Sequence, residues 1–111
     1  MKKYTIDISR GERLRLDRER MGLSQVQAAK AKNLSLHAYR KLEKNNSSES
    51  VPTDVYEYED FRIQRWRVQF SRKKFAKILK LSEYWISEME FGRVSCDRLR
   101  TFWETYAAQR G

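Results

Sequence analysis

The chain has 111 residues, 40% hydrophobic and 13% aromatic, enough for one ordinary domain or two very small ones with a core, so a large multidomain enzyme and a wholly disordered chain are both excluded. Lysine and arginine number 24 against 15 acidic residues, and the formal charge of +9 favours a polyanionic partner, while one cysteine and one histidine exclude an intramolecular disulfide and the usual zinc finger. No apolar run exceeds three residues, so neither a membrane span nor a secretory segment is expected, and the reading is of a cytoplasmic, nucleoid-associated protein.

Tyr4, Ile6 and Ile8 alternate with polar residues, the period of a short N-terminal strand or extended arm. Ser9 and Glu12 stand at capping-box spacing and open a helix from about Arg10 to Met21, which Gly22 suits the left-handed residue to close. Ser24 and Gln27 repeat the box and start a second helix near Gln25. Asn33 takes the next turn, and Ser35 caps a third helix with Leu36, Tyr39 and Leu42 as its inward stripe. The polar stretch Lys44 to Thr53, with the only proline, reads as a linker. Thr53 or Asp54 then caps a long helix to about Gln69, with apolar residues from Val55 to Phe70 on more than one face. Ser95 caps a last helix carrying Leu99, Phe102, Trp103 and Tyr106, followed by a frayed tail from Gln109 to Gly111. Cys96, near that helix start, reads as an inert thiol rather than a redox sensor.

The chain repeats itself at an offset of 47 residues. Arg15–Asn45 aligns with Arg62–Gly92 without a gap and with nine identities in 31 positions, among them Arg18/Arg65, Ser24/Ser71, Ala29/Ala76, Ser35/Ser82 and Glu43/Glu90. Basic helices aligned by chance would match arginines and lysines, but would have no reason to match caps, a small residue and core positions together. Two units follow, residues 1–50 and 51–111, with net charges of +6 and +3.

The first repeat runs Gly22-Leu-Ser-Gln-Val-Gln-Ala-Ala through Leu34-Ser35 to Leu42-Glu43-Lys44-Asn45. This resembles the helix-turn-helix of the lambda repressor and Cro proteins, the XRE family, in which Leu-Ser-Gln opens the second helix, a small residue follows, and a hydrophobic-Ser pair begins the recognition helix. The likeness covers residues 10–45. It implies an all-α fold of two tandem lambda-repressor-like helix-turn-helix units, with the N-terminal strand or arm added to it. It also implies DNA contact through Gln25 at the second helix start and through Leu36, His37 and Arg40 on the recognition helix, with Lys41 and Lys44 flanking. Ser24 and Ser35 sit at the two helix starts. From the residues alone, Arg40 has a competing role in an i, i+3 ion pair with Glu43, worth only about 0.2–0.5 kcal/mol, whereas a bidentate contact with guanine is worth about 1–3 kcal/mol of discrimination.

The second repeat replaces Gln25 by Arg72 and the outward recognition positions by Glu83, Tyr84, Trp85, Ser87 and Glu88. Arg72, Lys73 and Lys74 remain available to phosphates, whereas the two carboxylates oppose them. Tyr84, Trp85, Phe91 and Trp103 are expected to form a protein interface, because exposed aromatic clusters mark such surfaces. The expected function is a sequence-specific double-stranded DNA-binding transcriptional regulator, a phage or mobile-element repressor acting by promoter occlusion as a homodimer. The competing reading is a protein-binding adaptor, an antitoxin or inhibitor on the same scaffold. No paired base and nucleophile, glycine-rich phosphate loop or metal cluster points to an enzyme, and no cofactor or small-molecule substrate is expected.

Overall fold

The computed structural model describes residues 2–45 and 49–110, and the middle of the expected linker lies outside them. Among the described residues the fold is mostly helical, with seven helices and a two-stranded antiparallel sheet. Their order is β1 (Lys3–Ser9), α1 (Arg10–Arg20), α2 (Gln25–Ala31), α3 (Leu36–Glu43), β2 (Ser50–Tyr56), α4 (Glu57–Arg67), α5 (Arg72–Leu79), α6 (Glu83–Glu90) and α7 (Asp97–Arg110). Thr5–Asp54 forms one compact unit, and the residues from Val55 onward, with those before Thr5, form another.

The repeat is longer in the structure than in the alignment. β1 and β2, α1 and α4, and α3 and α6 begin and end at residues 47 apart, and α2 and α5 begin so, which carries the repeat back from Arg15 to Lys3. The expected strand and first three helices are present with their expected caps: the Ser9, Ser24 and Ser35 hydroxyls accept from the N–H groups of Glu12, Gln27 and Ala38 at 3.1 Å. Gly22 (φ 71°) closes α1 and Asn33 (φ 56°) takes the turn after α2.

β2 corrects the expectation of a linker running straight into a helix. Val51, Thr53 and Val55 alternate with polar residues and face inward, Thr53 and Val55 completely, so β-branched side chains set a strand where a helix from Thr53 was expected. Pro52 is tolerated because a two-stranded sheet consists of edges, where a missing N–H is no loss. The helix begins at Glu57 instead, with Glu59 accepting from the Tyr56 N–H at 2.9 Å.

In the first unit α3 packs on α1 and α2 around Ala28, Ala29 and Tyr39, with Leu14 against them. The two alanines let α2 approach α3 closely. The expected inward stripe on α3 is realised fully only at Tyr39. Leu36 is half-buried and Leu42 is exposed. In the second unit Phe61, Phe75, Ala76, Ile86 and Met89 form one core with Leu99 and Trp103 of α7. Phe75 stacks on Trp103 with centroids 5.5 Å apart and meets Phe102 edge-on at 5.0 Å. Met89 is buried where its counterpart Leu42 is not, because α7 has no equivalent in the first unit. Ser95 accepts from the Asp97 N–H at 3.3 Å as expected, but α7 continues to Arg110, so the tail expected from Gln109 is helical up to there.

A buried ion pair recurs with the repeat. Arg18 Nε donates to Glu43 Oε2 at 2.6 Å and its Nη1 to the Leu23 carbonyl at 3.0 Å. Arg65 makes the same two bonds, to Glu90 Oε2 at 2.6 Å and to the Phe70 carbonyl at 3.0 Å, and its Nη2 reaches Glu90 Oε1 at 3.0 Å, where Arg18 Nη2 reaches Glu43 Oε1 at 3.4 Å. Each pair ties the helix after the strand to the end of the third helix and satisfies a carbonyl in the turn between.

The units differ at one crossing. A Cβ at Gly11 would stand 2.4 Å from the Glu43 carbonyl oxygen and 2.8 Å from that of Asn45, so only glycine lets α1 reach the end of α3, where its N–H donates to the Asn45 carbonyl at 3.2 Å. Forty-seven residues on, Tyr58 occupies the Gly11 position and Gly92 the Asn45 position, and a Cβ at Gly92 would lie 2.5 Å from the Tyr58 ring.

Candidate nucleic-acid interface

The residues expected to meet DNA in the first unit come from two helix starts and one helix face. Ser24 and Ser35 are exposed caps. On α3, His37, Arg40, Lys41 and Lys44 are exposed, Leu36 is half-buried, and the buried Tyr39 fixes which side faces outward. Gln25, half-buried at the start of α2, reaches across to α3: its Nε2 donates to Glu43 Oε1 at 3.0 Å, and its Oε1 accepts from Arg40 Nε at 3.2 Å. A continuous chain of hydrogen bonds thus runs from Arg18 through Glu43 and Gln25 to Arg40 at the surface. Arg40 leans on Gln25, while Glu43 turns to Arg18 and Gln25, which decides against the simple i, i+3 pair as its main engagement.

Burial works to raise the Glu43 pKa, but hydrogen bonds from Arg18 and Gln25 outweigh it and hold the carboxyl below the ordinary carboxylate range. Burial first, and Glu43 second, push the Tyr39 phenol up to about 12, so it stays neutral. A carboxyl with a lowered folded-state pKa contributes stability that is complete above its ordinary value and is lost as pH falls through the folded value. Glu43→Gln is therefore expected to destabilise the chain near neutrality, with the deficit against wild type shrinking as pH drops from about 6 to about 3 in denaturant titrations. A deficit independent of pH would show that Glu43 acts by packing alone.

The second unit presents a different surface. Arg72, Lys73 and Lys74 are exposed at the start of α5, with the Lys74 ammonium 4.8 Å from the Phe70 ring centroid. On α6, Tyr84 and Trp85 are 65% and 49% exposed and meet edge-on at 5.7 Å. Glu83 is exposed beside them, and Glu88 is held by Arg93 at 2.5 Å. The expected aromatic interface is not continuous. Trp103 is only 3% exposed and belongs to the core, because its apolar face is needed between Phe75 and Phe102, and this corrects its assignment to a surface. Phe91 is half-buried, with the Arg62 guanidinium 4.2 Å from its ring centroid. Only Tyr84 and Trp85 remain as an exposed pair.

Arg18, Glu43, Arg65 and Glu90 were not singled out by sequence reasoning as parts of a site. A signal was available, since Arg18/Arg65 and Glu43/Glu90 are two of the identities between the repeats, and charges that recur with core positions point to a pair inside. Burial, and then the Glu57 carboxylate, push the Cys96 thiol up. A space of about 360 Å³ beside it is lined by Lys2, Glu57, Tyr58, Gly92 and Arg100, where Arg100 and Glu57 already neutralise each other at 2.5 Å. Among the described residues no cluster of three or more His, Cys, Asp or Glu could hold a metal ion, and no helix is long and apolar enough to cross a membrane. Comparison with protein-family models, curated proteins and solved structures finds no match for the chain.

Proposed function

We propose that the chain is a sequence-specific double-stranded DNA-binding regulator built of two tandem lambda-repressor-like helix-turn-helix units, the first of them the reading head. The observation that supports this best is the outward face of α3, where His37, Arg40, Lys41 and Lys44 are exposed while Tyr39 and the Arg18–Glu43 pair fix the helix from behind. An α-helix carrying exposed cations fits a major groove about 12 Å wide. The Gln25 bond to Arg40 orients that side chain before any partner arrives, so less side-chain freedom is lost on contact. On this reading the protein represses by occluding a promoter, as a phage or mobile-element repressor does, and needs no chemistry of its own.

The test is Arg40→Ala. Affinity for the cognate site, selected from random duplexes by the wild-type chain, is expected to fall by about 1–3 kcal/mol with little change on random DNA. Equal weakening on both would reassign Arg40 to phosphate, and no change on either would remove α3 from the interface. Across salt concentrations the log–log slope is expected to be steep, each of about 5–8 neutralised phosphates contributing about −0.9. A flat response would favour the adaptor reading instead.

The second unit takes the pairing role in this proposal. Tyr84 and Trp85 expose aromatic surface beside Glu83, which suits a protein contact with a second copy better than contact with phosphates. Trp85→Ala should then shift the chain to monomer in sedimentation and lower affinity for a palindrome more than for a half-site.

A further inference from the structure

The two repeats share a strand followed by three helices, and among the described residues only the second repeat is followed by a further helix, α7. In the second unit Val68, Leu81 and Met89 belong to the core that α7 enters through Leu99 and Trp103. Their counterparts 47 residues earlier are Met21, Leu34 and Leu42, which are 72%, 36% and 44% exposed. Phe75, which packs under Trp103, has the smaller, buried Ala28 as its counterpart. The first unit therefore carries an uncovered apolar face, and its sister unit shows what form of cover fits it, a helix with a stripe of large apolar and aromatic side chains.

The charge at the rim says which helix. In the second unit Arg100 of α7 is fastened to Glu57, at the first position of α4, at 2.5 Å. The counterpart of Glu57 is Arg10, exposed and paired with the exposed Glu49 at 2.6 Å. Leu79, at the end of α5, offers its carbonyl to Arg98 of α7 at 3.1 Å, and its counterpart is the exposed Lys32. The rim that meets a cation of the covering helix in one unit is thus cationic in the other. A second copy's α7 would bring Arg100 against Arg10, and that helix is already committed to its own core through Trp103.

We propose that the Met21–Leu34–Leu42 face of the first unit docks an amphipathic helix of a different protein, apolar along one stripe and acidic where α7 has Arg100. This interaction is separate from DNA binding, since it uses none of the cationic side chains assigned to the groove. It would allow a partner protein to sit on the reading unit.

The probe is a lactam-bridged helical peptide with the sequence of Asp97–Arg110 in which Arg100 is replaced by Glu, titrated against the full chain by fluorescence anisotropy. It is expected to bind, the peptide with Arg100 retained at least fivefold more weakly, and Leu42→Asp in the chain should weaken the Glu peptide at least tenfold. Because Leu42 is already exposed, that variant should keep the wild-type far-ultraviolet circular dichroism and unfolding midpoint. Arg10→Glu in the chain should reverse the order of the two peptides. The proposal is overturned if the Glu peptide does not bind, if the peptides bind alike, or if Leu42→Asp leaves binding unchanged. It is also overturned if Leu42→Asp dissociates a wild-type oligomer, which would make a second copy the occupant.

Discussion

Replacing Glu90 by alanine is expected to destabilise the chain by about 3–5 kcal/mol, because it takes the carboxylate from a buried guanidinium. Glu90 is 0% exposed and holds Arg65 through both oxygens, at 2.6 and 3.0 Å. Removing both charges together, in Arg65→Met with Glu90→Leu, should cost much less than the single change, since desolvation is then avoided rather than left unpaid. Glu43→Ala should be milder than Glu90→Ala, because Arg18 keeps more access to water than Arg65 and Gln25 can follow it. Denaturant midpoints of the three variants check this order, and a Glu90→Ala deficit under about 1 kcal/mol would show the pair to be dispensable.

Trp103→Ala is the second large effect, expected at about 3–5 kcal/mol as a cavity opens between Phe75, Phe102 and Tyr106. Trp85→Ala, on an exposed helix face, should stay within about 0.5 kcal/mol in the monomeric chain. The contrast separates two tryptophans that sequence reading placed on one surface. Thermal or denaturant unfolding measures both, and similar losses for the two would mean that Trp85 is covered.

That error shows where sequence reading stopped. In the first unit nearly every boundary has a polar marker: Ser9 with Glu12, Ser24 with Gln27, Ser35, and Gly22 or Asn33 in the turns, so the strand and three helices were legible residue by residue. In the second unit the cap corresponding to Ser9 is Tyr56, which supplies no small hydroxyl and continues an apolar pattern. The boundary between β2 and α4 vanished with it, and Pro52 pulled the reading toward a linker. The repeat would have supplied the missing strand, because Asp7/Asp54 and Glu12/Glu59 also match at the same offset, but the intervening replacements hid it. Periodicity placed Trp85 and Trp103 on helices, yet which of them faces a neighbour depends on tertiary packing that spacing alone does not encode. The outward set on α3 was legible because it is the complement of Tyr39. The network behind it was not, because arginine and glutamate are read as solvated unless their recurrence is taken as a sign of pairing.

The exchange of glycines between the units limits how freely the two halves could be recombined. At one crossing the space is vacated by α1 through Gly11; at the other the bulk stands on α4 as Tyr58 and the space is vacated beyond α6 by Gly92. A crossover within a unit would bring a tyrosine against the backbone of Glu43 and Asn45, or set a glycine opposite a glycine and leave the gap unfilled. Only exchanges that carry both ends of a unit preserve the fit. The two copies of the repeat are in this way non-exchangeable modules, and a change on the exposed face of one need not be matched on the other.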